Sequence, residues 1–149
     1  MTDLRVAIAG AGGRMGAANI RAVTSTPGLI VHSAFERPGS PAIGRDAGEV
    51  AGIEKLGVVI VDDPEAAVSG AEAIIDFTGP AVSVMLAELA ASRGLIDIIG
   101  TTGCSKEEDW AIAKSGSAGA RIVKTGNFSL GVNMLAGLVR QVAAALPDY

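Results

Sequence analysis

Five short stretches carry residue types able to hold a ligand. The first, GAGGRMG at Gly10–Gly16, follows the apolar run LRVAIA and precedes a helical pattern. Glycines behind a strand let the backbone turn tightly and approach a pyrophosphate, while the next helix offers free N–H groups and its positive dipole end. The spacing is one residue longer than the strict G-x-G-x-x-G pattern: Met15 stands where the third glycine belongs, and Gly10, Gly13 and Gly16 keep a period of three. On this reading Gly10 makes the turn, Gly12 and Gly13 the close approach, and Gly16 the helix–strand contact. Arg14 projects near the phosphates. A glycine-rich loop also occurs without any ligand, so the turn needs support from its surroundings.

That support lies downstream. Glu36 falls twenty residues past Gly16, at the tip of the next strand-like run. An acid there accepts hydrogen bonds from the hydroxyls of an adenosine ribose. Arg37 beside it could pair with a 2′-phosphate. Strand, turn, helix, strand and acid in this order favour a dinucleotide over a bare loop. DFTGP (Asp76–Pro80) and IGTTGCS (Ile99–Ser105) then follow two further strand-like runs, at the strand ends where open α/β sheets bind ligands. Hydroxyls between glycines suit polar contacts there, and they also suit ordinary turns. TGNFSLGVN (Thr125–Asn133) precedes a strongly apolar helix and reads as a hinge or an interdomain loop.

The elements that position these stretches alternate as βαβ units do, which predicts a Rossmann-type α/β fold. Its sheet is doubly wound and mainly parallel, with helices on both faces. Strands are expected near Leu4–Ala9, Leu29–Phe35, Val58–Val61, Ala73–Phe77, Leu95–Ile99 and Arg121–Lys124. Runs such as VAIA, VVIV and DIIG are apolar on both faces, as covered strands require. Helices are expected from about Gly13 to Ser25, from DDPEAAV with Asp63 as N-cap and Pro64 at the first position, and from Pro80 to Gly94. A fourth opens at SKEE with Ser105 and Glu108 at capping-box spacing, and the last runs through LGVNMLAGLVRQVAAAL to Pro147. Between Glu36 and Leu56 lies a long Gly/Pro-rich connection, of a length that is often functional.

Composition narrows the class. With 149 residues, 49% of them hydrophobic, the chain is the size of one ordinary domain. A net charge of −4 argues against a nucleic-acid partner. One cysteine, Cys104, excludes an internal disulfide, and one histidine, His32, leaves a zinc cluster out of reach. His32 sits inside the second strand and is expected in the core or on a sheet face. Cys104 is expected to be an incidental thiol. No apolar run reaches the ~20 residues of a membrane span and no signal peptide opens the chain, so a cytoplasmic protein is expected.

Taken together, VAIAGAGGRMG, FER, DFTGP, IGTTG and GNFSLGVN resemble, in order and spacing, the N-terminal half of the bacterial 4-hydroxy-tetrahydrodipicolinate (dihydrodipicolinate) reductases. That family carries the same GRMG variant of the glycine turn. The resemblance implies NADH or NADPH as cofactor, with Gly10, Ala11, Gly12, Gly13, Arg14 and Met15 around its phosphates and Glu36 on its adenosine ribose. Arg37 matches the residue that admits NADPH beside NADH. Gly100, Thr101 and Thr102 match the turn at the nicotinamide end, with Thr102 also reaching substrate. Thr125, Gly126, Asn127 and Phe128 match the loop that closes over the cofactor.

The resemblance further implies that residues 1–128 form the NAD(P)-binding domain. Residues 129–149 are then a hinge and first helix leading to a substrate and oligomerisation domain. The His-His stretch, lysine and DAPSGTA-like segment expected in that domain are not in these 149 residues. No catalytic residue and no metal ligand is therefore expected here, and the final helix is expected to expose apolar residues. The complete protein would be a homotetramer reducing a cyclic dicarboxylate in lysine and diaminopimelate synthesis. Two alternatives stay open: another two-domain NAD(P)-dependent oxidoreductase, and a non-catalytic dinucleotide-binding module.

Overall fold

β1 (Leu4–Ala9) sets the plan of the molecule, because its residues Val6 to Ala9 are all buried and so need cover on both faces. A computed structural model describes residues 2–146, in which six strands alternate with six helices. After β1 come α1 (Arg14–Ser25), β2 (Leu29–Phe35), α2 (Ala47–Ala51), β3 (Ile60–Val61), α3 (Pro64–Ala67), β4 (Ala73–Asp76), α4 (Pro80–Arg93), β5 (Ile96–Ile99), α5 (Lys106–Ser117), β6 (Arg121–Lys124) and α6 (Leu130–Ala145). The strands form one sheet in the order β3-β2-β1-β4-β5-β6, and every pairing is parallel. The chain winds outward from β1 in one direction and then, from β4, in the other. This is the doubly wound Rossmann arrangement, with a crevice where the winding reverses between β1 and β4.

Each face of the sheet has its own core. Val6 and Ile8 of β1 pack with Ile20 and Val23 of α1 and with Ala47 and Ala51 of α2. Ala7 and Ala9 face the other way, toward Leu86 and Ala90 of α4. In α1 the buried residues Gly16, Ile20 and Val23 repeat at helical spacing. A Cβ at Gly16 would stand 2.1 Å from the Gly10 carbonyl oxygen and 2.7 Å from the Ala11 Cα, so the helix lies directly on the turn that launches it. Gly10 itself has φ +68°, a conformation that favours glycine.

Caps set the helix boundaries largely as the residue pattern implies. Asp63 accepts from Ala66 N–H with Pro64 at the first helical position. Ser105 and Glu108 close a reciprocal capping box on α5. Gly94, at φ +66°, ends α4.

Three details differ from expectation. The connection from Glu36 to Leu56 contains a short helix, α2, capped by Asp46, whose Oδ1 accepts from the N–H groups of Gly48, Glu49 and Leu56 while Oδ2 accepts from Gly57. β3 is shorter than Val58–Val61 because the backbone there serves the α2 segment: the Val58 carbonyl accepts from Ala47 N–H and Val59 bridges to Asp46 antiparallel. β4 stops at Asp76 because the next free amide, Thr78 N–H, turns back onto the Asp76 carboxylate.

His32 is on a sheet face rather than in the core. It is the extra residue where the β1–β2 register shifts, and its Nε2 lies 2.9 Å from the Ser69 carbonyl. α6 buries none of its described residues, and Leu130, Met134, Leu135, Leu138, Val139 and Val142 are all exposed. The expected helix stop at Pro147 lies outside the described residues.

Two outcomes follow for stability. Gly16→Ala should lower the free energy of unfolding by about 1–3 kcal/mol, because a methyl group cannot enter that contact without shifting α1; denaturant titration measures it, and an unchanged midpoint contradicts the contact. The hydrogen bond from Leu56 N–H, with those from Glu49, Gly48 and Gly57, holds the Asp46 carboxyl below its usual 3.8 against an opposing effect of burial. The stabilisation is thus present above that value and is lost as pH falls below it. Asp46→Ala should lower Tm at neutral pH, with the gap to the unaltered chain closing in acid.

Candidate functional site

The β1–α1 turn, the tip of β2 and the β4–α4 turn meet at the C-terminal edge of the sheet around a cavity of about 650 Å3. Its walls include Gly10 and Gly13 of the first turn, Phe35, Glu36 and Arg37 at the end of β2, and Phe77, Thr78 and Gly79 after β4. The site therefore occupies the crevice at the reversal of winding, where open α/β sheets take their ligands.

The glycine turn and the acid are joined directly. Gly12 N–H donates to Glu36 Oε2 at 2.9 Å, and Arg37 N–H donates to Glu36 Oε1 at 3.0 Å. The carboxylate thereby holds the β1–α1 turn against the tip of β2 and still has lone pairs for ligand hydroxyls. Gly13 is the N-cap of α1 and supplies no side-chain hydrogen bond, so the N–H groups of the first helical turn are left for an anion. Neither Arg14 nor Arg37 forms an ion pair with a described residue. An elongated, twice-charged ligand with ribose hydroxyls fits this donor and acceptor set. Gly12 has no room for a side chain, since a Cβ there would meet Ala42 Cβ at 2.8 Å and Glu36 Oε2 at 3.0 Å.

The structure sorts the other residues singled out in the sequence. Ala11 is fully buried in the core, and its N–H donates to the Phe35 carbonyl, so its side chain faces away from the cavity. Met15 is exposed beside it. Gly100, Thr101 and Thr102 follow β5 next to the β4–α4 turn, and Gly100 N–H donates to the Asp76 carbonyl. A Cβ at Gly100 would enter the Phe77 ring at 2.1 Å, which keeps this turn flush against the cavity wall. Thr102 is exposed, whereas Thr101 is only 4% exposed and its hydroxyl points inward, accepting from Thr78 N–H at 3.0 Å.

Thr125 and Gly126 border a separate cavity of about 620 Å3 between α5 and β6. There Lys124 Nζ is 2.8 Å from Asp109 Oδ1, and that hydrogen bond is the main reason its ammonium pKa is raised. Asn127 accepts from Ser129 N–H, and its carbonyl takes a bond from the Asn133 amide. Phe128 brings this loop against Phe77 of the first cavity's wall, with ring centroids 5.8 Å apart. Cys104 is a free, half-buried thiol.

Sequence reasoning passed over five groups on the cavity wall: Pro38, Asp62, Pro64, and the α4 residues Val82 and Met85. Asp62 was findable as an acid directly behind an apolar run. Val82 and Met85 were not, because they become a wall only once α4 is laid beside the β4 turn. Among the described residues no group of three or more His, Cys, Asp or Glu could hold a metal ion, and no helix is long and apolar enough to cross a membrane.

Comparison with known proteins agrees with this geometry. The 4-hydroxy-tetrahydrodipicolinate reductase of Rhizobium rhizogenes is 49% identical over 144 residues, covering 97% of this chain and 52% of that protein. The Brucella abortus reductase is 51% identical over 139 residues, covering 93% and 52%. The chain thus spans about half the length of the curated relatives it matches. Among solved structures, the dipicolinate-bound dihydrodipicolinate reductase of Paenisporosarcina sp. TG-14 aligns over 99% of this chain and 56% of its own, with a TM-score of 0.76 at 20% identity. The myo-inositol 2-dehydrogenase of Lactobacillus plantarum aligns over 94% and 42%, with a TM-score of 0.65 at 19% identity. These two share the fold. Residues 4–128 match the family described as dihydrodipicolinate reductase, N-terminus, and the chain belongs to that family.

Proposed function

We propose that this chain is the NAD(P)H-binding part of a 4-hydroxy-tetrahydrodipicolinate reductase. The observation that carries the reading is the cavity at the winding reversal, with a glycine turn on one side tied by Gly12 N–H to the Glu36 carboxylate on the other. Gly10 to Gly13 and the open first turn of α1 would receive the pyrophosphate, with Arg14 and Met15 at its edge. Glu36 would accept from the ribose hydroxyls. Arg37, in no ion pair with a described residue, would meet a 2′-phosphate when one is present. Gly100 and Thr102, with the Thr125–Phe128 loop beyond them, would border the nicotinamide end, and Thr102 would reach the substrate.

When bound, the dinucleotide supplies a hydride from its nicotinamide C4. The chain's own residues bind and orient it: the glycine turn fixes the phosphates, Glu36 the sugar, and Phe77, backed by the Phe128 ring, forms part of one wall. Hydride transfer leaves negative charge on the acceptor, which a proton donor must neutralise. We assign that donor, and the anchors for a cyclic dicarboxylate, to the other half of the complete protein, so residues 129–149 serve as a hinge and first helix toward it. The exposed apolar residues of α6 suit such a junction. The complete enzyme is expected to be a cytoplasmic homotetramer in lysine and diaminopimelate synthesis, with no nucleic-acid partner.

Titration of the chain with NADH and with NADPH, followed by nicotinamide fluorescence, should show binding of both. Glu36→Ala should weaken both by about tenfold or more, since a charge-assisted acceptor is lost. Arg37→Ala should weaken NADPH more than NADH; equal weakening contradicts its role. Steady-state turnover by these residues alone should be negligible, and rates typical of a complete reductase would overturn the division of labour.

A further inference from the structure

Two aspartates lie buried beneath the ligand-facing turns, and the proposed reaction uses neither. Asp76 ends β4 and Asp97 sits in β5, both with no exposed surface. In the parallel register Asp97 stands opposite Ile74 and Asp76 opposite Ile99, so the two carboxyl groups project from the same face as diagonal neighbours. Diagonal positions on one sheet face are about 7–8 Å apart at Cα, close enough in this buried interior for the charge of one carboxyl to act on the other.

Asp76 is heavily used on one oxygen. Its Oδ1 accepts from Thr78 N–H at 2.9 Å, from the Thr78 hydroxyl at 2.6 Å and from the Thr101 hydroxyl at 3.4 Å. At 2.6 Å the hydroxyl bond is at the short end of the O–H···O range, where bonds to carboxylates fall. Through these bonds Asp76 joins the β4–α4 turn, which lines the cavity with Thr78 and Gly79, to the β5–α5 turn at Thr101. The Thr78 methyl lies over Gly10 of the first turn, where an added Cβ would come within 3.2 Å of it, so the fit there depends on a bare glycine.

By contrast, Asp76 Oδ2, both oxygens of Asp97 and the Ser83 hydroxyl have no hydrogen-bond partner among the described residues. A second buried anion with no donor beside the first is strongly disfavoured. Burial, and then the charge of Asp76, push the Asp97 carboxyl up to about 7. Other charges stand off. On α4, which covers this face, Ser83, Leu86 and Ala87 look inward, while Glu88 is exposed and Arg93 is turned to Glu65. On β6, Ile122 stands in register with Asp97, Arg121 is exposed, and Lys124 is held by Asp109 of α5, near Cys104.

We propose that Asp76 is a positioning residue for the dinucleotide site, an anionic brace that holds the β4–α4 and β5–α5 turns together, and that its buried neighbour Asp97 makes the brace sensitive to pH. The ligand part of this inference rests on the NAD(P)H reading above. With Asp97 protonated, one negative charge serves the Thr78 and Thr101 donors. With Asp97 ionised, two buried anions repel and the turns loosen. A carboxyl whose folded value lies above its unfolded one contributes stability that is complete below the unfolded value and lost as pH rises through about 7.

Two readouts test it on the same protein. In 15N–1H spectra of the ligand-free chain, the amides of Thr78, Gly100 and Thr102 should shift with a midpoint near neutrality, and Asp97→Asn should abolish that titration. NADH affinity should fall about tenfold between roughly pH 6 and 8.5 in the unaltered chain and stay level in Asp97→Asn. Asp76→Asn should weaken NADH about tenfold at the lower pH. Thr101→Val, which keeps the shape but removes the hydroxyl that donates to Asp76 and accepts from Thr78 N–H, should act in the same direction and serves if Asp76→Asn yields little folded chain. Amides that do not titrate, or that titrate unchanged in Asp97→Asn, overturn the brace even if NADH binds normally. Amides that titrate as described in a chain binding neither cofactor uphold the brace and overturn the NAD(P)H reading instead.

Discussion

The close approach of α1 to the turn that starts it is the constraint on which the rest depends. With Gly16 against the backbone of Gly10 and Ala11, the first helical turn points its amides into the crevice, and Ile20 and Val23 reach the sheet. A bulkier contact would tilt the helix, open one core and move the anion-binding end together. Stability and ligand geometry are thus set by the same atoms, which explains why a departure from the usual glycine spacing at Met15 is tolerated. Met15 is exposed, whereas the glycine that makes the contact is one place further on.

Much of this was legible in the residues. Apolar runs without alternation marked covered parallel strands, and Asp63-Pro64, Ser105…Glu108 and Gly94 marked helix ends, because each of those signals is local. That the glycine turn and Glu36 share one edge of the sheet was legible as well, since the order strand, turn, helix, strand, acid places both there; the bond from Gly12 N–H to Glu36 was not. α2 was hidden in a Gly/Pro-rich stretch, although Asp46 three residues before Glu49 is a capping pattern; the helix is too short to show periodicity. The direction of the Thr101 hydroxyl was not legible at all. It depends on Asp76, a residue on another strand that reads in the sequence as one more strand-end acid.

The wall of the cavity divides along the same line. Polar residues that act through the backbone around them, such as Glu36, announce themselves by spacing. Apolar residues that act by shape, such as Val82 and Met85, acquire meaning only from the helix laid across the strand ends. The ring of Phe77 belongs to both groups: its place in DFTGP is visible in the sequence, while its fit over Gly100 and against Phe128 is a matter of tertiary packing.

The central place of β1 in the sheet has a consequence for how the chain acquires its shape. β1 comes first of the six strands in chain order, and its two edges are filled from unequal distances along the chain: Leu4 pairs with Leu29 across a single helix, whereas Val6 pairs with Ala73. The second pairing closes the longer loop, and non-local parallel pairing of this kind is the slower sort to form. The glycine turn and Glu36 belong to the early half of the sheet, while the turns after β4 and β5 belong to the late half. The ligand crevice is therefore the seam along which the two halves join, and it is complete only when the second has docked on the first.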